Sequence, residues 1–437
     1  MKTMTRAINS AVVVLAVGVL SPRLSSFVRA QQAPAPAGPG TQTPAAPAGG
    51  QRQAQPPKPP TITDPDGHLV ESEAQKFKVE VVAKDLETPW GLAFLPDGRL
   101  LVTERPGRLR IVDKNGKLSE PVKGIPKVMQ IQDGGLLDVE VHPNYARNGW
   151  VYLSYAEPSP TVTSVTERAE NNTAMTAIIR GKIDKNNNWT DQQFIFHAAP
   201  EFYTINHFHF GSRFIFDKQG HLFYSLGEHG KPADAQDLSK PTGKIHRVND
   251  DGTAPKDNPF VGKAGALPTI WTYGHRNPQG LSFDPRTGKL WETEHGPGAG
   301  DELNLIQAGH NYGWPLATNG GGREVPAGTP TELPGMDSPV VFWTPTLAPG
   351  GMAFYSGGKY PKWTNNLFIT GLGGQVLRRL VIDNDKVTHQ EVVFDNLGRI
   401  RDIVIGPDGY FYVATALPGR GLADTTVGFV LRLVPAK

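Results

Sequence analysis

Short runs of alternating apolar and polar residues fill the chain from Phe77 to its C-terminal end. Each run leads into a turn built from Pro, Asp and Gly, and a second run rich in aromatic and β-branched residues follows. Alternation with a period of two indicates β-strands, because successive side chains of a strand point to opposite faces of its sheet. The pattern therefore predicts an all-β fold made of short strands.

This strand–turn–strand unit occurs six times. The first strands of the copies span residues 90–94, 137–141, 213–216, 280–283, 351–354 and 402–405. One Pro-Asp-Gly turn alone would indicate only a hairpin. Six copies, repeated every roughly 50 to 75 residues, leave room for a four-stranded sheet and its loops in each unit. The sequence predicts a six-bladed β-propeller of four-stranded antiparallel blades.

The N-terminal residues have a different pattern. Residues 1–30 combine Lys2 and Arg6 with an apolar run at 11–20 and a small residue at Ala30. This is the pattern of a cleavable export signal, and the apolar run is too short to span a bilayer as a helix. We expect a periplasmic or secreted protein with no membrane span in its mature form.

Residues 31–70 are rich in Pro, Ala and Gln, a composition that cannot bury enough apolar surface to fold and that predicts a disordered tether. Residues 71–437 form the predicted propeller domain. The 437 residues include 44 basic and 42 acidic side chains, with no long run of one sign and a formal net charge of +2. Nucleic acid is therefore not an expected partner. The chain has no cysteine, which excludes disulfides.

In a propeller, the loops that enter the innermost strands converge at one end of the axis, so polar residues just before each repeat are candidate site residues. Five of the six copies have such residues. They are Gln132 and Asp133, residues 207–211, the trio His275, Arg276 and Asn277, residues 343–349, and the pair Arg399 and Arg401.

His209 is the candidate general base, because it directly precedes a strand aimed at the axis and Glu228 directly follows that strand's partner. A carboxylate beside an imidazole fixes its tautomer and stabilises the imidazolium that forms on proton uptake. A histidine that only satisfies hydrogen bonds at the start of a strand is the alternative. A metal site built on His207 and His209 has no obvious third nitrogen or sulfur ligand.

Arg276, Arg399 and Arg401 would bring three guanidinium groups toward the same axis, which favours a multiply charged anion. The alternative is that Asp395 or Asp402 pairs with one of these arginines at the surface. The acidic, glycine-rich loop 294–302 favours Ca²⁺ over zinc, since it offers oxygen ligands, whereas a solvated turn is the alternative.

Several motifs resemble the soluble, pyrroloquinoline quinone (PQQ)-dependent aldose and glucose dehydrogenases, and the closer likeness is to the aldose sugar dehydrogenase branch. The resemblance covers the chain from about Phe77 to its C-terminal end. The motifs are 209–213, 243–245, 274–280, 294–297, 301–305, 311–315 and 399–402.

The resemblance implies a propeller that binds PQQ and Ca²⁺. The three PQQ carboxylates would meet the arginines, Asn277 would lie alongside, and Gln132 or Asp133 would contact the quinone. The implied ligands of the catalytic Ca²⁺ are the backbone carbonyls of Gly296 and Pro297, and those of a structural Ca²⁺ are Glu302 and Tyr312.

The resemblance also implies a mechanism. His209 would take the proton of the anomeric hydroxyl of an aldose while hydride passes to the C5 carbonyl of PQQ, and Arg276 and Ca²⁺ would stabilise the charge that develops. The sugar would leave as a lactone, and the electrons would pass to an unidentified acceptor. Three positions depart from the family: Glu228 replaces its usual Asp, Asp133 its frequent Gln, and residues 371–374 contain no counterpart of its cofactor-contacting Lys.

Two other functions suit the same architecture. A calcium-dependent propeller lactonase would need side-chain carboxylates and Asn around the metal and no arginine cluster. A non-catalytic binding propeller would explain the missing Lys and the altered Gln position. Fold alone does not decide between them.

Overall fold

The computed structural model describes residues 60–167, 169, 171–419 and 426–436. The predicted export signal, residues 1–30, and the predicted tether up to residue 59 lie outside the described residues. The described part contains 24 β-strands, one short α-helix and three 3₁₀ helices. It contains no helix with the length and apolar character that crossing a lipid bilayer requires.

The strands are short, as the alternation predicts. They are β1 (Leu69–Glu71), β2 (Lys76–Glu87), β3 (Pro89–Phe94), β4 (Leu100–Glu104), β5 (Arg108–Val112), β6 (Leu136–Val141), β7 (Val151–Pro158), β8 (Ala174–Ile183), β9 (Trp189–Phe196), β10 (Phe214–Phe216), β11 (Leu222–Leu226), β12 (Lys244–Val248), β13 (Ile270–Tyr273), β14 (Pro278–Phe283), β15 (Leu290–Glu294), β16 (Asp301–Ile306), β17 (Val341–Trp343), β18 (Pro349–Phe354), β19 (Asn366–Gly371), β20 (Val376–Asp383), β21 (Lys386–Phe394), β22 (Arg399–Ile405), β23 (Phe411–Ala416) and β24 (Val427–Pro435). The helix α1 spans Tyr145–Asn148, and the 3₁₀ helices span Pro200–Phe202, Pro232–Ala235 and Pro361–Trp363.

In the described residues the strands pair antiparallel into six sheets. Four sheets have four strands each: β6–β9, β10–β13, β14–β17 and β18–β21. Strands β3–β5 form a three-stranded sheet, and an irregular segment extends its outer edge, where Ser119 and Val122 donate backbone hydrogen bonds to β5. The sixth sheet has five strands in the order β1-β2-β24-β23-β22. It therefore combines strands from both ends of the described chain.

The six sheets close into a ring. The innermost strand of each sheet, which is the first strand of its sequence repeat, contacts the innermost strand of the next sheet. The order is β3, β6, β10, β14, β18, β22 and back to β3. Pairing of β2 with β24, from Phe77 opposite Pro435 to Glu87 opposite Val427, locks the ring. Full closure removes exposed sheet edges from the interior. The predicted six-bladed antiparallel β-propeller is confirmed.

Apolar layers between neighbouring blades form the core. Between the blades β3–β5 and β6–β9, for example, Leu101, Leu109, Val139 and Leu153 pack as one buried cluster. Such side chains come from alternate positions of facing strands, so the period of two seen in the sequence places them between the sheets. These layers fix the blades and hence the loops at the ends of the first strands.

A buried polar network ties the first strands together near the axis. Nη1 of Arg213 lies 2.9 Å from a carboxylate oxygen of Asp138 on β6 and 2.9 Å from one of Asp402 on β22. Asp402 also accepts a hydrogen bond from the backbone of Leu92 on β3, and Nε of Arg213 donates to the carbonyl of Gln279 on β14. The alternative interpretation of Asp402 as a surface partner of Arg399 or Arg401 is wrong, because its carboxylate is buried against Arg213.

Candidate functional site

A cavity of about 390 Å³ lies where the loops that precede the first strands meet. The wall of this cavity, called the axial cavity below, includes every residue assigned above to the base or to the PQQ contacts except Glu228. Those lining residues are Gln132, Asp133, His209, Arg276, Asn277, Arg399 and Arg401. Residues far apart in sequence therefore share one cavity, as the propeller arrangement predicts.

A sharp turn of the backbone points His209 into the axial cavity. His209 has φ of 58°, a left-handed value that costs energy for a non-glycine residue. A Cβ on Gly227 would lie 2.0 Å from the carbonyl oxygen of His209, and one on Gly211 would lie 2.6 Å from the nitrogen of Gly227. Only glycine at these two positions lets the segment after β11, which carries Glu228, approach the histidine this closely.

His209 and Glu228 form a buried pair behind the cavity wall. Nδ1 of His209 contacts Oε1 of Glu228, and the other oxygen of Glu228 is buried without a hydrogen-bond partner among the described residues. Burial lowers the pKa of His209 to about 3, and the positive charge of Arg276 acts in the same direction. Burial raises the pKa of Glu228 to about 8. The imidazole is therefore neutral, and its Nε2 can accept a proton from a ligand when Glu228 is ionised and holds the hydrogen of Nδ1.

Arg399 and Arg401 lack a carboxylate partner within ion-pair distance among the described residues. Arg401 donates to the side-chain oxygen of Gln279 at 3.1 Å, and Arg399 to the carbonyl of Leu372 at 3.4 Å. Burial lowers the pKa of Arg401 to about 9 and also lowers that of Arg399, while Asp133 acts in the opposite direction. Two half-buried guanidinium groups without a carboxylate within ion-pair distance favour the binding of an anion.

Arg276 has a different environment. Its Nε and Nη2 donate to the two carboxylate oxygens of Glu324 at 2.8 and 2.7 Å, and its Nη1 donates to the carbonyl of His295 at 3.0 Å. The guanidinium also lies over the ring of Trp314, 5.4 Å from its centroid. Glu324 was missed by the sequence analysis. It lies in a stretch without strands or helices between Trp314 and β17, where no periodicity or motif marks it.

Asn277, Gln132 and Asp133 complete the wall. The side-chain oxygen of Asn277 accepts hydrogen bonds from the backbone of Gly211 and from Gln279, so it holds the start of β14 against the His209 segment. Gln132 has φ of 51°, and its side-chain oxygen is buried without a partner among the described residues. An orphaned acceptor on the cavity wall favours a ligand that brings a hydrogen-bond donor.

The four residues assigned to calcium lie next to the axial cavity. Gly296 lines it, and together with Pro297, Glu302 and Tyr312 it also lines a pocket of about 10 Å³ beneath Arg276. The hydroxyl of Tyr312 donates to the carbonyl of Leu305 and accepts from the backbone of Gln307, so the hydroxyl is already engaged and the backbone carbonyl is the other oxygen that this residue offers a cation. The pocket has about the volume of one small ion or water molecule.

Asp301 has a structural role in this loop. Its Oδ1 accepts a hydrogen bond from the backbone of Gly296, and its Oδ2 accepts from Thr346, Leu347 and Ala348. All of these donors belong to the two segments that carry Gly296 and the start of β18. Asp301 therefore fixes the position of the loop.

Three carboxylates lie next to the loop on β15 and β16: Glu292 and Glu294 are buried, and Glu302 is half-buried. Glu294 stands directly opposite Glu302 across the strand pair, and Glu292 stands opposite Asn304. Burial raises the pKa of Glu302 to about 8 and that of Glu292 well above its usual range, and Glu294 adds to both effects. Oε2 of Glu294 accepts hydrogen bonds from the backbone of Arg276 and Asn277, so it orients their segment. A hard cation in the adjoining pocket would favour the ionised form of Glu302 and so oppose the effects that raise its pKa.

Comparisons with known proteins identify the relatives of this chain in sequence and in fold. A family model described as glucose/sorbosone dehydrogenase matches residues 86–422. An aldose sugar dehydrogenase of Escherichia coli is 40% identical over 363 residues, covering 82% of this chain and 92% of the relative. The apo-form structure of the soluble aldose sugar dehydrogenase of Escherichia coli has a TM-score of 0.72 and 38% identity, covering 82% of this chain and 100% of that one. The PQQ-bound aldose sugar dehydrogenase of Streptomyces coelicolor has a TM-score of 0.63 and 29% identity, covering 83% and 100%.

Proposed function

Because the chain belongs to the glucose/sorbosone dehydrogenase family, we propose that it oxidises aldose sugars at the anomeric carbon to lactones, with PQQ and Ca²⁺ as cofactors. One observation carries the proposal: His209, with Glu228 behind it, and three guanidinium groups meet at one axial cavity. A relative with PQQ bound has the same fold, which supports the choice of cofactor.

The axial cavity fits PQQ. The half-buried Arg399 and Arg401 offer positive charge that has no carboxylate within ion-pair distance among the described residues, and PQQ carries three carboxylates. The volume of about 390 Å³ lies within the range of pockets that hold cofactors of this size. The unpartnered side-chain oxygen of Gln132 offers a hydrogen-bond acceptor on the same wall.

Calcium would be held by backbone oxygens of Gly296 and Pro297 at the rim of the cavity. Glu302 and the carbonyl of Tyr312 would hold a second ion in the adjoining pocket. Burial and Glu294 raise the pKa of the half-buried Glu302, and a cation in this pocket would offset the cost of ionising its carboxyl group. The donor set is made of oxygens alone, which favours Ca²⁺ over zinc.

When bound, PQQ would supply a quinone whose C5 carbonyl, polarised by Ca²⁺, accepts a hydride from the anomeric carbon. His209 would take the proton of the anomeric hydroxyl at Nε2, while Glu228 holds Nδ1–H and stabilises the imidazolium that forms. Arg276 would place its positive charge beside the negative charge that develops during the transfer. The two electrons would then pass to an unidentified acceptor, and the export signal expected from residues 1–30 would place this transfer outside the cytoplasm.

Reconstitution tests the proposal. Purified cofactor-free protein is mixed with PQQ and CaCl₂, and reduction of a dye is followed with glucose and other aldoses. We expect turnover that needs both PQQ and a divalent cation. His209→Ala should abolish most of it while PQQ still binds, and His310→Ala, an exposed histidine paired with Asp337, serves as the control.

The same experiment separates the rival functions. A lactonase would open lactones without PQQ, and a binding propeller would neither open lactones nor reduce the dye. Either result, or near-wild-type turnover by the His209→Ala variant, would overturn the proposed mechanism.

A further inference from the structure

Glu324 is a carboxylate at the reaction centre that the mechanism above does not use. It lines the axial cavity, and its side chain is 40% exposed. One polar atom each of Glu324, His209 and Glu228 lies within 4.8 Å of the other two. Glu324 therefore stands beside the proposed base and on the wall of the same cavity.

The position of Glu324 is fixed from two sides. Arg276 binds both of its carboxylate oxygens, and the next residue, Val325, is buried in a small apolar cluster with Ala235 and Trp314. Trp314 also lies under the guanidinium of Arg276. A carboxylate held this way loses little side-chain entropy when it accepts a further hydrogen bond from a ligand.

Glu324 carries a full negative charge. Burial acts to raise the pKa of Glu324, but the hydrogen bonds and charge of Arg276 outweigh burial and lower the pKa. Each carboxylate oxygen has two acceptor sites, and Arg276 takes one on each. The carboxylate can therefore accept hydrogen bonds from a ligand without giving up Arg276.

A metal ion is a poor occupant for this cluster. The guanidinium of Arg276 lies within hydrogen-bond distance of Glu324, and its positive charge also reaches His209 and Glu228. A divalent cation at the same place would face that charge at short range. A neutral donor such as a sugar hydroxyl, or a substituent with a positive charge, fits the carboxylate better.

We propose that Glu324 is a specificity-determining residue that accepts a hydrogen bond from the 2-hydroxyl or 2-ammonium group of the aldose. The proposal rests on the proposed function. One carboxylate oxygen of Glu324 lies within 4.8 Å of a ring nitrogen of His209. A sugar whose anomeric hydroxyl hydrogen-bonds to His209 at about 3 Å would therefore bring the substituent on its adjacent carbon toward the Glu324 carboxylate. The substrate class is then an aldose with a donor on carbon 2.

Deletion of that donor from the substrate tests the proposal. A hydrogen bond to a charged group changes kcat/KM by about tenfold to a hundredfold when the partner hydroxyl is removed. Wild-type protein loaded with PQQ and Ca²⁺ should therefore prefer glucose over 2-deoxyglucose by at least about tenfold. Glu324→Gln and Glu324→Ala should both reduce this ratio to about two- or threefold. Glu332→Gln, an exposed carboxylate on the same stretch, should leave it unchanged.

Binding of PQQ to each cofactor-free variant is measured separately by fluorescence titration. We expect Glu324→Gln to bind PQQ at least as tightly as wild type, because one negative charge leaves the cavity that receives the carboxylates. Tight PQQ binding together with a reduced preference for glucose over 2-deoxyglucose supports the inference, since a variant that failed to fold would also lose PQQ binding.

The outcomes separate the two proposals. A wild-type protein that binds no PQQ, or that oxidises no aldose when loaded, would overturn the proposed function and this inference with it. A wild-type protein that oxidises glucose, but whose preference over 2-deoxyglucose is absent or persists in both Glu324 variants, would overturn only the role of Glu324.

Discussion

His209 and Glu228 share a proton, and its position decides whether the imidazole can act as a base. Ionised Glu228 accepts the hydrogen of Nδ1 and leaves Nε2 free. Protonated Glu228 donates to Nδ1 instead, so the ring hydrogen moves to Nε2 and the base is blocked. Burial raises the pKa of Glu228 to about 8 and lowers that of His209 to about 3. The pair therefore takes up its extra proton as the pH falls through about 8.

The pH profile of the reconstituted enzyme follows from this pair. We expect kcat/KM for glucose to rise with pH and to level off above about 8, where Glu228 is ionised. Glu228→Gln keeps a side-chain oxygen that accepts from Nδ1 at every pH, so its profile should be flat between about pH 6 and pH 9. Steady-state rates at saturating PQQ and Ca²⁺ measure both profiles. A Glu228→Gln profile that rises as steeply as that of wild type would assign the ionisation to another group.

Single residues near the axis were predicted from the sequence where a strand start marked them. The repeat pattern predicted that four of these residues lie together, because each stands shortly before or within the first strand of a repeat. They are His209, Arg276, Arg399 and Arg401. Glu324 has no such mark, since it lies in a stretch without repeats. The roles of the predicted residues toward PQQ and calcium stay predictions.

At the scale of elements, the strands were predictable and their distant pairings were not. Alternation and turns locate the two strands of each unit because both signals are local. The pairing of β2 with β24 joins segments more than three hundred residues apart, and no local pattern records it. The blade β3–β5 has three strands and not the predicted four, because residues 118–122 take the place of a fourth strand. Their backbone hydrogen-bonds to β5 but does not form a regular strand.

The acidic loop shows that a carboxylate in a calcium-like stretch can serve the loop itself. Both oxygens of Asp301 accept from N–H or O–H donors on segments that frame the axial cavity. Because both carboxylate oxygens face donors, the Asp301→Asn side chain would point its NH₂ group at a donor whichever way the amide is turned. We expect the free energy of unfolding to fall by about 1–3 kcal/mol.

Urea denaturation of the cofactor-free variant measures this loss. Asp337→Asn is the matched control, because Asp337 is a partly exposed carboxylate that bonds to the exposed His310. It should change stability by less than about 0.5 kcal/mol. Equal stability of the two variants would mean that the loop keeps its shape without Asp301.

At the scale of the whole molecule, one buried cation connects the blades. Arg213 bridges Asp138 on β6 and Asp402 on β22, and Asp402 in turn holds the backbone of β3 at Leu92. Burial raises the pKa of Asp138 to about 7, and the charge of Arg213 opposes that rise. The ring of first strands, and with it the axial cavity, depends on this charge balance.

Replacement of Arg213 by Met tests that dependence, because Met keeps an apolar stem of similar length and removes the charge. Two buried carboxylates would then lack their partner, and loss of one member of a buried ion pair costs about 3–5 kcal/mol. Arg432→Met is the control: this half-exposed side chain pairs with Glu80 near the surface and should contribute at most about 1 kcal/mol.

The pH dependence of the loss identifies its cause. Without Arg213, the folded-state pKa values of Asp138 and Asp402 rise further above their unfolded values, so the folded state binds more protons and the variant gains stability as the pH falls. Urea unfolding should therefore show a smaller deficit at pH 5 than at pH 8, with pH values chosen on either side of about 7. The double variant Arg213→Met with Asp138→Asn should recover part of the loss at pH 8, since the amide oxygen still accepts from the backbone of Phe214. A deficit that is independent of pH and unrelieved by Asp138→Asn would show that Arg213 stabilises the ring through packing, for example on Trp90, and not through charge.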